Sequence, residues 1–87
     1  MEIITVEKRE GKKLDLEVIK KQYKSKEIFD VFYLLDNSKI GIITRGNKSN
    51  LIFKEVVNFL NINNYGYSKI IFKYDKKDYL NDIYITL

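Results

Sequence analysis

The stretch Gly41-Ile42-Ile43-Thr44-Arg45-Gly46-Asn47-Lys48-Ser49 is one residue longer than the G-x-x-x-x-G-K-[ST] pattern of a phosphate-binding loop. Asn47 intrudes between the second glycine and the lysine, so the register is wrong. The β-branched Ile42 and Ile43 stand where such a loop must curl around phosphate. A chain of 87 residues also cannot hold the parallel sheet that the site requires. A weaker chemistry survives. Arg45, Lys48 and Ser49 lie beside the start of an expected helix, where cations and a hydroxyl suit an anion or an acidic side chain.

A second group is the basic run from Lys8 to Lys26, densest at Lys20-Lys21-Gln22-Tyr23-Lys24-Ser25-Lys26. Lysines neutralise phosphates by releasing counterions, and an interleaved tyrosine can stack on an unpaired base. Lys20, Lys21, Tyr23, Lys24 and Lys26 are therefore the candidate nucleic-acid-binding residues. No RNP-like strand, zinc-finger spacing or helix-turn-helix accompanies them. Lysines that keep a β-rich domain soluble and protect a sheet edge give the same pattern.

The third group is aromatic. Tyr65-Gly66-Tyr67 follows the expected helix in a polar loop. Tyrosine buries a large area at little entropic cost and is enriched in protein interfaces. Tyr65, Tyr67, Arg45 and Lys48 are the candidate protein-binding residues, against the alternative that the tyrosines fold back over the sheet edge. Asp75, Asp78 and Asp82 cluster in sequence, but Lys76 and Lys77 lie among them, and nothing in the sequence marks the dry or like-charged pocket that retunes a carboxylate.

Composition narrows the chemistry further. Without cysteine or histidine the chain has no disulfide, no thiolate nucleophile and no Ser-His-Asp or Cys-His arrangement. No D-x-D-x-D-G calcium loop is present. The expectation is a chain without metal or cofactor. Of the 16 basic residues only Arg9 and Arg45 are arginine, and alanine is missing altogether. A joint excess of Lys, Asn, Ile and Tyr is what an AT-rich genome produces, so part of the net charge of +4 is compositional. The amino terminus lacks the features of a signal peptide. The apolar runs reach about five residues where spanning a bilayer takes about 20. The expected location is the cytoplasm.

Periodicity supplies the elements that must position these groups. Ile4 and Val6 alternate with Thr5 and Glu7, an edge strand. Leu14, Leu16 and Val18 alternate too and favour a strand hairpinned to the first. The helical alternative over residues 15–24 rests on Leu16, Ile19 and Tyr23, with acids early and lysines late. Glu27 to Leu35 is apolar on both sides and reads as a central strand. Ile40 to Thr44 is its hairpin partner, with Gly41 marking a bulge or a close backbone approach. From Leu51 to Asn63 the period becomes helical: Phe59, Ile52, Val56, Leu60, Phe53 and Val57 fall within an arc of about 160°. Ser49 or Asn50 is the expected N-cap, and Asn61 to Asn64 with Gly66 the expected stop. Ile70, Phe72 and Tyr74, then Ile83, Ile85 and Leu87, complete the strands.

The expected fold is a single α+β domain over residues 1–87, a mainly antiparallel sheet of five or six strands with one long helix near 49–63 on one face. With a second helix near 15–24 the arrangement becomes a split βαβ (ferredoxin-like) fold. The profile as a whole is similar in style to small proteins of phages and mobile elements, anti-CRISPR inhibitors among them, which occupy a surface of a larger host machine. The expected function is a non-enzymatic binding module that inhibits a host defence or nucleic-acid-processing protein, its partner a larger protein or ribonucleoprotein. Direct DNA or RNA binding is the alternative, and a ribonuclease toxin a weaker one.

Overall fold

The computed structural model describes residues 1–23, 28–35 and 38–87. Its elements run β1 (Glu2–Val6), α1 (Leu16–Tyr23), β2 (Ile28–Leu35), β3 (Lys39–Arg45), a short 3-10 turn (Gly46–Lys48), α2 (Ser49–Ile62), β4 (Lys69–Tyr74) and β5 (Leu80–Thr86). The five strands form one sheet in the order β1-β4-β5-β3-β2, and every pairing is antiparallel. The class is α+β, as the periodicity indicates.

Residues 16–23 are a helix, not the strand that the alternation of Leu14, Leu16 and Val18 favours. Local capping decides it. The Val18 N–H donates to Asp15 Oδ1 at 3.1 Å, which makes Asp15 the N-cap. Leu14 before the cap and Ile19 in the first turn are both buried, the pairing of a hydrophobic staple. Glu17 lies in the first turn and Lys20 and Lys21 in the last, as the helix dipole favours. With that segment helical, β1 finds its partner in β4, in continuous register from Glu2↔Tyr74 to Val6↔Ile70.

The element order contains the βαββαβ of a split βαβ fold, but the topology differs. In that fold the first strand lies inside the sheet, between the third and the fourth, whereas here β1 is an edge strand and β5 lies between β3 and β4. β2 is also an edge strand, not a central one. The centre belongs to β5, the last strand, which inserts between β3 and β4 and buries Ile83 and Ile85 completely. The register irregularity in the β2–β3 pair lies between Ile28 and Phe32 of β2, while Gly41 pairs regularly with Tyr33 and Tyr84.

The core lies on one face of the sheet. Ile52, Phe53, Val56 and Leu60 of α2 meet Ile40, Ile42, Ile70, Phe72, Ile83 and Ile85, with Ile19 and Tyr23 of α1 alongside. Phe53 stacks on Phe72 with ring centroids 4.6 Å apart. Burying each such side chain contributes about 1.5–3 kcal/mol, so the apolar stripe of α2 is the main source of stability.

Asn64 ends α2, with φ of 63°. The Tyr65 N–H donates to the Leu60 carbonyl at 2.9 Å and the Asn64 N–H to that of Asn61 at 3.2 Å, a Schellman closure. Gly66 serves a different purpose. A side chain there would meet the backbone of Gly11 at 2.7 Å, and one at Gly11 would meet the Asn64 carbonyl oxygen at 2.5 Å. The two backbones touch, and only hydrogen fits between them.

Candidate functional site

The turn after β3 brings Arg45 and Lys48 to the start of α2. Arg45 is still extended; Gly46 then takes φ of +43°, a left-handed conformation that glycine adopts without strain. The Gly46 N–H donates to the Tyr79 carbonyl, tying this turn to the one between β4 and β5. Lys48 occupies the N-cap position without a side-chain cap. Of the two expected caps, Asn50 lies inside the helix and Ser49 is its first residue. It is wholly buried, and its Oγ accepts from Asn81 Nδ2 at 3.2 Å.

Asn81 holds this end of the molecule together. Its Oδ1 accepts the Asp75 N–H at 2.8 Å, and its carbonyl accepts from Thr44 Oγ1 at 3.1 Å. Thr44, Ser49 and Asn81 are all buried, and no buried side-chain polar atom among the described residues lacks a partner. Each member of this network stands beside a residue of the surface above it. Arg45 follows Thr44, Lys48 precedes Ser49, Lys76 follows Asp75, and Leu80 precedes Asn81. A fully satisfied buried network fixes geometry more sharply than apolar packing does.

Above the network lies a cleft of about 490 Å³ lined by Arg45, Gly46, Asn47, Lys48, Lys76, Lys77, Asp78 and Tyr79. Among the described residues, its lining carries four cations and one carboxylate. The β4–β5 turn that supplies half of them is set by Asp75, whose carbonyl accepts the Asp78 N–H at 2.9 Å and whose Oδ1 accepts the Lys77 N–H at 3.0 Å. Tyr79, Leu80 and, in the first turn of α2, Leu51 are exposed large side chains at the same end. Cations gathered around one cleft give it a positive field that an anion or an acidic side chain complements. The arrangement suits an acidic surface offering apolar ground for Tyr79 and Leu80.

The remaining candidates are placed elsewhere. Tyr67 is buried, contrary to the exposed loop expected of it, and its hydroxyl donates to Asn61 Oδ1 at 2.8 Å. The cause is a two-way backbone bridge between Arg9 and Tyr67, at 3.0 and 2.9 Å, which turns that tyrosine inward. Tyr65 is half-buried, its ring 6.1 Å from that of Phe59 and beneath the Lys12 ammonium at 4.6 Å. The structure thus separates Tyr65 and Tyr67, at the C-terminal end of α2, from Arg45 and Lys48 at its N-terminal end.

Of the candidate nucleic-acid residues, Lys20 and Lys21 are exposed on α1, and Lys24 and Lys26 lie outside the described residues. Tyr23 is buried edge-on against Phe59, centroids 6.0 Å apart, so it offers no face to a base. Burial, then the charge of Glu55, pushes its hydroxyl up to about 12. Among the described residues no group of three or more acidic side chains is placed to hold a metal, and no helix is long and apolar enough to cross a membrane.

Lys76, Lys77, Tyr79 and Asn81 are the members that sequence reasoning missed. The Asp75 to Asp78 turn is legible as a turn. Its position beside Arg45 depends on the Arg45↔Leu80 pairing, which no local pattern encodes. No protein-family model, no curated protein and no solved structure matches the chain.

Proposed function

We propose that the protein is a non-enzymatic binding module that sets its cationic cleft against an acidic surface of a larger cytoplasmic protein and works by occupying that surface. The observation that supports this reading is the convergence of Arg45, Lys48, Lys76 and Lys77 around a cleft with Tyr79 in its lining. Tyrosine and arginine are over-represented among residues that carry binding energy. An end built this way, with Leu51 and Leu80 also exposed, provides apolar anchors as well as charge. The AT-rich, cysteine-free composition supports a phage or mobile-element inhibitor of a host defence or nucleic-acid-processing protein as the particular role. Size is no obstacle, since about 800 Å² per partner makes a standard interface.

A second reading, direct binding of nucleic acid, is favoured by the sheet face away from the helices. Lys69 and Lys73 are exposed along β4 there, the Lys73 ammonium lies 5.4 Å from the Tyr84 ring, and Arg45 lies on β3 beyond Asp82 and Leu80 of β5. Titrating ¹⁵N-labelled protein with polyglutamate and, separately, with a single-stranded oligonucleotide separates the two. The acidic-surface reading expects saturable shifts at Gly46, Lys48 and Lys76 to Tyr79 with polyglutamate. Shifts confined to Lys69, Lys73 and Tyr84, seen only with the oligonucleotide and fading steeply with salt, would replace it with the second.

A further inference from the structure

We infer that the outer edge of β1 is a self-association surface, at which two copies of the chain join β1 to β1 in antiparallel register about a two-fold axis at Thr5. β1 pairs with β4 on one side only. Four of its five residues are exposed and Val6 is half-buried, with Ile3 61% and Ile4 36% exposed. Its register with β4 is unbroken over all five residues, so no bulge twists the edge away. Proline and lysine, the usual protections of a sheet edge, are absent from Glu2–Val6. An edge that is straight, apolar and unblocked is a template for another strand, and an interface that is its own mirror partner closes as a symmetric dimer.

Charge identifies both the occupant and the register. Glu2, Ile4 and Val6 are in register with Tyr74, Phe72 and Ile70, so they share the helix-covered side of the sheet. Centring the axis on Thr5 sets Ile4 opposite Val6 of the second copy and Glu2 opposite Lys8 of the second copy, each twice by symmetry. Lys8 is exposed, and its ion pair with Glu10 at 3.0 Å is a surface pair between exposed side chains, readily exchanged. Centring on Ile4 would instead set the Glu2 carboxylate against Val6. The even-numbered residues then extend the apolar layer from one copy into the next, giving a ten-stranded sheet. The seven paired residues per copy, 2 to 8, cover less than the roughly 800 Å² per partner of a standard interface, so the dimer depends on concentration.

Sedimentation of the full chain from about 10 μM to 1 mM tests this, spanning the affinities that small interfaces reach. The mass is expected to rise from 10.4 kDa toward twice that value. Glu2→Lys and Lys8→Glu should each weaken association about tenfold, because like charges then stand directly opposite across both symmetric pairs. The double variant E2K/K8E should restore it, and Ile4→Lys should abolish it. A chain that stays monomeric throughout overturns the inference. So does a dimer that the single charge reversals leave untouched, or one that the double reversal fails to rescue.

Discussion

At one end of the β4–β5 hairpin the chain is closed by backbone resting on backbone; at the other, side chains hold the walls apart. In the first, Gly11 and Gly66 touch, four backbone hydrogen bonds link Arg9 and Lys12 to residues 64–67, and the Arg9 guanidinium caps the Asn61 carbonyl at 3.2 Å. In the second, Asn81 spans β3, α2 and the β4–β5 turn through its side chain and carbonyl, and a cleft remains above it. Backbone closure fixes Gly11 against Gly66, and the cavity beside them, about 370 Å³, is smaller than the cleft at the other end. Closure by a buried amide sets two walls at a fixed separation and keeps their outer residues facing solvent. The tyrosine-bearing end, which by sequence looks like an interface, is a clasp. The end that looks like a turn sets Arg45, Lys48, Lys76 and Lys77 around a cleft of about 490 Å³.

The largest effect expected from breaking this contrast is at the clasp. Gly11→Ala or Gly66→Ala places a methyl within 2.8 Å of backbone atoms that cannot move aside singly. Each should cost about 3 kcal/mol and lower Tm by roughly 15 °C in thermal unfolding, while an anionic probe still finds the cleft of the folded fraction. Asn81→Ala should cost about 2 kcal/mol, because it strands the Asp75 N–H and the Ser49 hydroxyl. Its distinguishing mark is amide exchange that quickens at both Gly46 and Asp75 to Tyr79. Quickening on β5 alone would show that the cleft walls do not depend on Asn81.

Alkaline pH should act on the clasp side through a chain of ring contacts, since Tyr23 packs edge-on against Phe59 and Phe59 against Tyr65. The Tyr23 hydroxyl is pushed up to about 12 in the fold by burial and by Glu55, against about 10 unfolded. The unfolded chain therefore loses this proton first. The contribution is fully present below pH 10 and falls away by on the order of 2 kcal/mol as pH rises to 12. Denaturant unfolding of wild type and Tyr23→Phe between pH 9 and 12 checks it, and the variant should lose less than the wild type. Gly46→Ala is a smaller perturbation, about 1 kcal/mol from its left-handed backbone. The nearest atom to the new methyl, the Tyr79 carbonyl oxygen, is 3.8 Å away.

How far the fold was legible depends on whether the deciding interaction is local. α2 is legible because its stripe repeats every three to four residues, and the buried set Ile52, Phe53, Val56 and Leu60 falls within the expected arc. α1 was legible only in part: the Asp15 cap and the charge gradient were in the sequence, but an alternation of three apolar residues competed with them. The edge position of β2 was not legible, since it follows from β5 returning to the centre of the sheet. The same holds for the site. Arg45 and Lys48 could be picked out from their place before a helix, whereas Lys76 and Lys77 join them only through the β3–β5 register. Tyr67 went the other way because a polar Asn/Gly/Ser loop reads as exposed, and its bridge to Arg9 spans more than fifty residues of chain.

The central claim is that the cationic end engages another protein, and a comparative capture tests it most directly. Tagged wild type and the variant R45A/K48A/K76A/K77A, whose stability should differ by about 0.5 kcal/mol or less per substitution, are exposed to the same extract with and without nuclease treatment. The account predicts one acidic protein retained in stoichiometric amount by the wild type and lost with the variant. Equal retention by both, or a wild-type capture that disappears on nuclease treatment, would contradict it.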